Sequence, residues 1–181
     1  MTFKSFLVYG ALPAMGLMAC APVVQTRLAT FNQAEYEPYG GEGTATISGE
    51  AFLRTRAGDI KKGAGNTVYL NPVTTYSTEW FERAVLGGEQ LAAADEQAQA
   101  YERSAVTDSK GRFTFERLPP GEYYVACPIT WKVPGYFGYA QGTIEKTGGW
   151  VYAKVKIGAG RHKEIILKPA TGKKEKKKAP S

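Results

Sequence analysis

The 181-residue chain has the length of one domain with appendages, and its formal charge of +6 is local rather than spread over a face. Lys4 and the five lysines that surround Glu175 in the last ten residues account for most of it, so residues 20–171 carry only about +1 and offer no basic surface for nucleic acid. No cluster of histidine, cysteine or acidic residues has the spacing of a zinc site, and two cysteines are too few for a disulfide framework.

In chain order, residues 1–19 read as a targeting segment. Lys4 supplies a positive charge and Phe6 to Leu12 an apolar run, which Gly10, Pro13 and Gly16 break and which is too short to span a bilayer. Leu17-Met18-Ala19-Cys20 then resembles the cleavage site of a bacterial lipoprotein signal. That resemblance implies cleavage before Cys20, lipid on its thiol and acylation of its new amine. Each buried methylene would add roughly 0.8 kcal/mol of membrane attachment. Ala21 after Cys20, by likeness to enterobacterial sorting rules, implies the outer membrane and a periplasmic face. Residues 20–43, with Pro22, Pro38, Gly40, Gly41 and Gly43, read as a tether or approach segment whose Tyr36 and Tyr39 pack on a domain edge.

A folded domain is expected over residues 44–170. Thr44, Thr46, Ser48 and Glu50 alternate with Ala45, Ile47, Gly49 and Ala51, an opening strand with a glycine irregularity. After a Gly/Lys-rich loop, Asn66 to Val73 gives a second strand with Val68 and Leu70 on one face and Tyr69 on the other. The interval 76–103 breaks the β pattern. Ser77 or Thr78 is placed to cap a helix carrying Trp80, Phe81, Ala84 and Val85, and a second helical run is expected from Glu89 through Arg103. This helical insertion serves either as a functional flap or as packing over a sheet.

Thr107 to Val125 is the clearest stretch. Asp108-Ser109-Lys110-Gly111 is a polar turn, Phe113 and Phe115 alternate with polar residues, and Leu118 follows on the buried phase. Pro119-Pro120-Gly121 turns the chain into a second strand carrying Tyr123, Val125 and Cys127 on one face. Asp108-x-x-Gly111-x-Phe113-x-Phe115 and Leu118-Pro119-Pro120-Gly121-x-Tyr123-x-Val125 resemble the signature of carboxypeptidase regulatory-like domains, small transthyretin-like (prealbumin-like) sandwiches. The resemblance implies an all-β fold of about seven strands and a non-catalytic accessory module without a cofactor.

Ile129 and Trp131 extend that strand into a glycine-punctuated loop bearing Tyr136, Phe137 and Tyr139, and Trp150–Ile157 and Arg161–Lys168 supply the last strands. Trp131, Tyr136, Phe137 and Tyr139 are candidate binding residues because flat aromatic faces stack on sugars or receive partner side chains; edge packing is the alternative. Cys127, on the buried phase, reads as a small apolar residue. No catalytic residues are assigned, since a triad would need His162 as its base and no nucleophile elbow accompanies it. The multi-histidine sites of enzymes that share the implied fold are likewise excluded. Residues 171–181 read as a disordered Lys-rich tail that either contacts anionic lipid or polymer or simply solubilises the terminus. The functional expectation is a lipid-anchored envelope protein that binds a protein partner in an envelope assembly. The second reading is carbohydrate or peptidoglycan binding through the aromatic loop.

Overall fold

The computed structural model describes residues 23–55, 58–134 and 144–170, with side chains left undescribed at 132–134 and 144–146. The expected signal segment, Cys20, the loop aromatics Tyr136, Phe137 and Tyr139, and the Lys-rich tail lie outside these residues.

Two sheets face each other. The smaller has the order β6 (Arg112–Leu118), β1 (Ala45–Glu50), β9 (His162–Ile166), with β1 antiparallel to β6 and parallel to β9. The larger is antiparallel, ordered β10 (Lys168–Pro169), β8 (Ile144–Ile157), β7 (Gly121–Pro134), β4 (Thr67–Pro72), β5 (Arg103–Val106). A short ribbon of β2 (Phe52–Arg54) and β3 (Ile60–Lys62) stands beside them. The fold is an all-β sandwich.

Alternation decides what lies between the sheets. Ile47, Phe113 and Phe115 from one sheet meet Val68, Leu70, Val125, Cys127, Ile129, Val151 and Val155 from the other, all buried. Each such aliphatic or aromatic side chain contributes about 1.5–3 kcal/mol by leaving water. Gly49 lies where Phe113 and the β9 backbone cross β1: a Cβ there would stand 2.9 Å from the Phe113 ring and 2.4 Å from the Ile165 carbonyl oxygen. Cys127 is fully buried in this core, and burial pushes its thiol up to about 12.

The Asp108 turn closes as its chemistry requires. Asp108 Oδ1 accepts from the Lys110 N–H at 2.8 Å and the Arg112 N–H at 2.9 Å, and Gly111 adopts φ +82°. Leu118 departs from the simple alternation, since it lies three residues beyond Phe115. It reaches the core through a bulge: the β1–β6 register slips between Ala45 and Ile47, and Arg117 takes φ +54°. The extra residue turns Leu118 inward and leaves Arg117 outside, paired with Glu42 at 2.9 Å.

Between β4 and β5 the helical content is shorter than the sequence pattern predicts. The α-helix Thr75–Trp80 continues as a π-helical turn, Phe81–Leu86, and only Glu96–Gln99 is helical thereafter. The cap is Thr74, not Ser77 or Thr78: Thr74 Oγ1 accepts from the Ser77 N–H, and Ser77 Oγ accepts from the Thr74 N–H. The stretch before Asp95 cannot close a helix because its backbone pairs elsewhere. Gln25 N–H donates to Gln90 O at 2.7 Å and Ala92 N–H to Gln25 O at 2.8 Å.

Residues 23–43 thus lie along the domain. Tyr36 is buried between Phe31 and Tyr101, with ring centroids 4.9 Å from each, and Tyr39 meets Tyr123 edge-on at 5.3 Å.

The Asp108 turn carries a pH prediction. The Arg112 N–H foremost, then the Arg112 guanidinium and the Lys110 N–H, hold the Asp108 carboxyl down at about 2. A carboxylate whose pKa falls on folding contributes stability above its unfolded value, near 3.8, and loses that contribution as pH drops toward 2. Carboxyl NMR should place the Asp108 midpoint near 2, and Asp108→Asn should flatten the loss of stability between about pH 4 and 2. A midpoint near 4 would contradict this account.

Candidate ligand-binding site

The outer face of the five-stranded sheet is unusually aromatic. The phase opposite the core brings Tyr69 of β4, Tyr124 of β7, and Trp150 and Tyr152 of β8 onto it; Tyr69 and Tyr152 both lie opposite Ala126, and Trp150 lies opposite Pro128. The helix Thr75–Trp80 and its π-helical extension cover one half. Phe81 stacks on Tyr124 at 4.1 Å and 10° and meets Tyr152 edge-on at 5.1 Å, while Val85 and Ala126 complete a second small core. Thr78 Oγ1 and the Tyr124 hydroxyl are 3.1 Å apart, which ties the helix to the sheet at one more point.

The other half stays open. Trp80, at the helix edge, stands perpendicular to Trp150 at 6.1 Å, and Tyr69 lies 6.4 Å from Trp150 on the far side. All three rings are half-buried, so each keeps an accessible edge or face. Asn71, two residues along β4 on the same face as Tyr69, is buried and donates from Nδ2 to Glu102 Oε2 at 2.9 Å.

Behind Trp80 this surface runs into a small cavity of about 60 Å³, lined among others by Arg27, Asn71, Tyr76, Gln99 and Glu102. Arg27 belongs to the segment preceding the domain, which Glu79 holds in place. Burial works against the charge on Glu79, yet N–H donation from Leu28 at 2.7 Å and Ala29 at 3.0 Å, together with Arg83, keeps its carboxyl below the ordinary value. Arg83 also donates to the Thr26 carbonyl at 2.9 Å. Arg27 in turn lies over the Tyr76 ring, 4.9 Å from its centroid, and donates from Nε to Ala92 O at 3.0 Å. The whole arrangement offers planar aromatic faces beside amide, guanidinium and carboxylate groups, the combination that binds polar, ring-shaped ligands.

Of the residues singled out from sequence, Trp131 is described. It lies on the inner face of β7, half-buried against the main core, and so on the opposite side of the sheet from Trp150. His162 is exposed at the start of β9, where its Nε2 and Ser48 Oγ are 2.8 Å apart across the parallel β1–β9 pair. Among the described residues, no carboxylate hydrogen-bonds to that ring, and no three His, Cys, Asp or Glu side chains converge on a metal position. Sequence reasoning placed Tyr69 on the face opposite Val68 and Leu70 but drew no site from it. The signal was there: large aromatics on the phase that usually carries polar residues. Arg27 and Glu102 had no such signal.

No family profile matches the chain, and no curated protein matches it. Among solved structures, a Pseudomonas aeruginosa protein described as a candidate carbohydrate-binding protein aligns with a TM-score of 0.68 and 27% identity, covering 78% of this chain and 99% of that one. A DUF3823 family protein from Parabacteroides merdae aligns with a TM-score of 0.35 and 11% identity, over 71% of this chain and 47% of that one. The second likeness is too remote to bear on fold or function.

The covered and open halves should respond differently to truncation. Phe81→Ala should cost about 3 kcal/mol, the usual range for losing a buried phenyl ring, and detach the helix from the sheet. Tyr69→Ala, at a half-buried position, should cost about 1 kcal/mol. Urea denaturation of the two variants checks this, and equal losses would contradict the division of the face.

Proposed function

We propose that this chain is a non-catalytic glycan-binding module of a bacterial envelope, and that its ligand lies on the Tyr69–Trp80–Trp150 face. The observation that carries the proposal is the half of the aromatic sheet face that the helix leaves open, continuous through Trp80 with a polar cavity. Sugar rings present an apolar C–H face and a polar rim, which match an aromatic platform bordered by Asn71, Gln99 and Glu102. The likeness to a candidate carbohydrate-binding protein supports the same ligand class. Under this proposal the Ser48–His162 contact is a cross-strand hydrogen bond.

The lipid anchor belongs to the proposal. With Cys20 acylated, Arg27 stands seven residues from the membrane attachment, at most about 25 Å of extended chain. The module would work close to the bilayer surface, on the periplasmic side of the outer membrane, with the transthyretin-like resemblance accounting for its accessory character. A protein partner in an envelope assembly is the competing outcome.

Retention of the full chain on insoluble peptidoglycan and polysaccharides, followed by titration with soluble fragments of whatever retains it, tests the ligand class. Trp80→Ala and Trp150→Ala should each weaken binding about three- to tenfold, as expected for the loss of one aromatic stack. Loss of binding on changing Tyr136, Phe137 and Tyr139 to Ala, with Trp80→Ala and Trp150→Ala neutral, would move the site to the loop. Absence of retention, with one dominant crosslinked protein, would replace the glycan by a protein.

The anchor is tested separately. Intact mass should show an acyl increment that disappears in Cys20→Ser, and the variant should leave the membrane fraction. An unmodified, soluble wild type would remove the anchor from the proposal.

A further inference from the structure

The cavity behind Trp80 has a chemical character that the aromatic platform lacks. Its volume, about 60 Å³, holds roughly four to six waters at roughly 10–15 Å³ each, which is ample for a carboxylate. Its cationic wall is Arg27, which is positioned rather than floppy, since Nε is bound to the Ala92 carbonyl and the guanidinium lies over Tyr76. Nη1 of Arg27 is buried and has no hydrogen-bond partner among the described residues.

The neighbouring carboxylates are otherwise engaged. Glu79 accepts from Leu28, Ala29 and Arg83; Glu35 accepts from the Thr75 N–H and from Asn32; Glu102, which lines the same cavity, is exposed and accepts from Asn71. Arg27 is therefore a fixed cation that makes no direct ion pair among the described residues, on the wall of a cavity with room for a carboxylate. A half-buried guanidinium with an unused N–H favours an oxygen anion over a neutral hydroxyl, because a charge-assisted hydrogen bond is the stronger and satisfies the orphaned donor.

We infer that the cavity receives the carboxylate of an acidic sugar, a hexuronate, paired with Arg27 while the ring stacks outside on Trp80 and Trp150. The inference rests on the glycan-binding reading and narrows it to anionic glycans. Trp80 is the hinge of the argument, being both a cavity wall and a member of the platform. Glu102 is then a specificity element: its solvated charge on the cavity lining takes ring hydroxyls and repels a carboxylate that enters in the wrong orientation.

The test uses the full chain and calorimetric titration with trisaccharides of galacturonate, glucuronate and mannuronate, the methyl ester of each, and cellotriose. The esters keep the ring and remove only the charge. At least one acid should bind tenfold or more tightly than its ester, with affinity falling as salt rises, and Arg27→Gln should abolish that preference. Arg27→Lys, which keeps the charge and loses the planar fork, should retain part of it. Should Arg27→Gln fail to fold, the comparison of acid with ester and its salt dependence on the wild type still decide. Equal binding of acid and ester, or binding of cellotriose alone, overturns the anionic inference and leaves the glycan reading standing. Absence of binding to all seven probes, together with no retention on polysaccharide, overturns both.

Discussion

The packing of Phe81 between Tyr124 and Tyr152 decides what the outer face of the larger sheet becomes. Without it, a row of aromatics would face water over the whole sheet, a large apolar patch of the kind that drives aggregation. With it, half of the row becomes a second core and the helix edge is brought to a fixed position. Trp80 then stands perpendicular to Trp150, and the remaining rings form a bounded platform. The site is what is left when the helix has covered the rest.

A second dependence runs through Glu79. Its carboxylate is largely shielded, and it accepts the two successive N–H groups of Leu28 and Ala29 while pairing with Arg83. A buried charge of this kind is tolerated only when its hydrogen bonds are filled, and here they are filled by the very segment that leads into the domain. The consequence is positional: residues 25–29 are fixed on the helix, and Arg27 is presented to the cavity. The segment that looked like a tether is therefore also a wall of the site.

How much of this could be read from sequence follows from the range of the interactions involved. The Asp108–Gly111 turn, the Phe113/Phe115 and Val125/Cys127 alternation and the sandwich class were legible, because turn chemistry and period-two burial are written in adjacent residues. Leu118 is buried as expected, but by way of a bulge that puts Arg117 in the left-handed region, which an alternation count cannot see. The second helical run failed for a related reason. Ala, Gln and Glu favour a helix locally, but the backbone around Leu91 is used by Gln25, and tertiary pairing overrides propensity.

The site was less legible than the fold because its members meet only in space. Arg27 reaches Ala92 across 65 residues, and Asn71 reaches Glu102 across 31. Sequence reasoning looked for binding where aromatics cluster along the chain, at Trp131 through Tyr139, whereas Tyr69, Trp80 and Trp150 cluster across three elements. A strand aromatic on the solvent phase has two physical outcomes, to be covered by another element or to be used. The helix buries Tyr124, leaves Tyr152 and Trp150 half-buried at its edge and does not reach Tyr69, and it is that boundary, rather than any local motif, on which the proposed binding face rests.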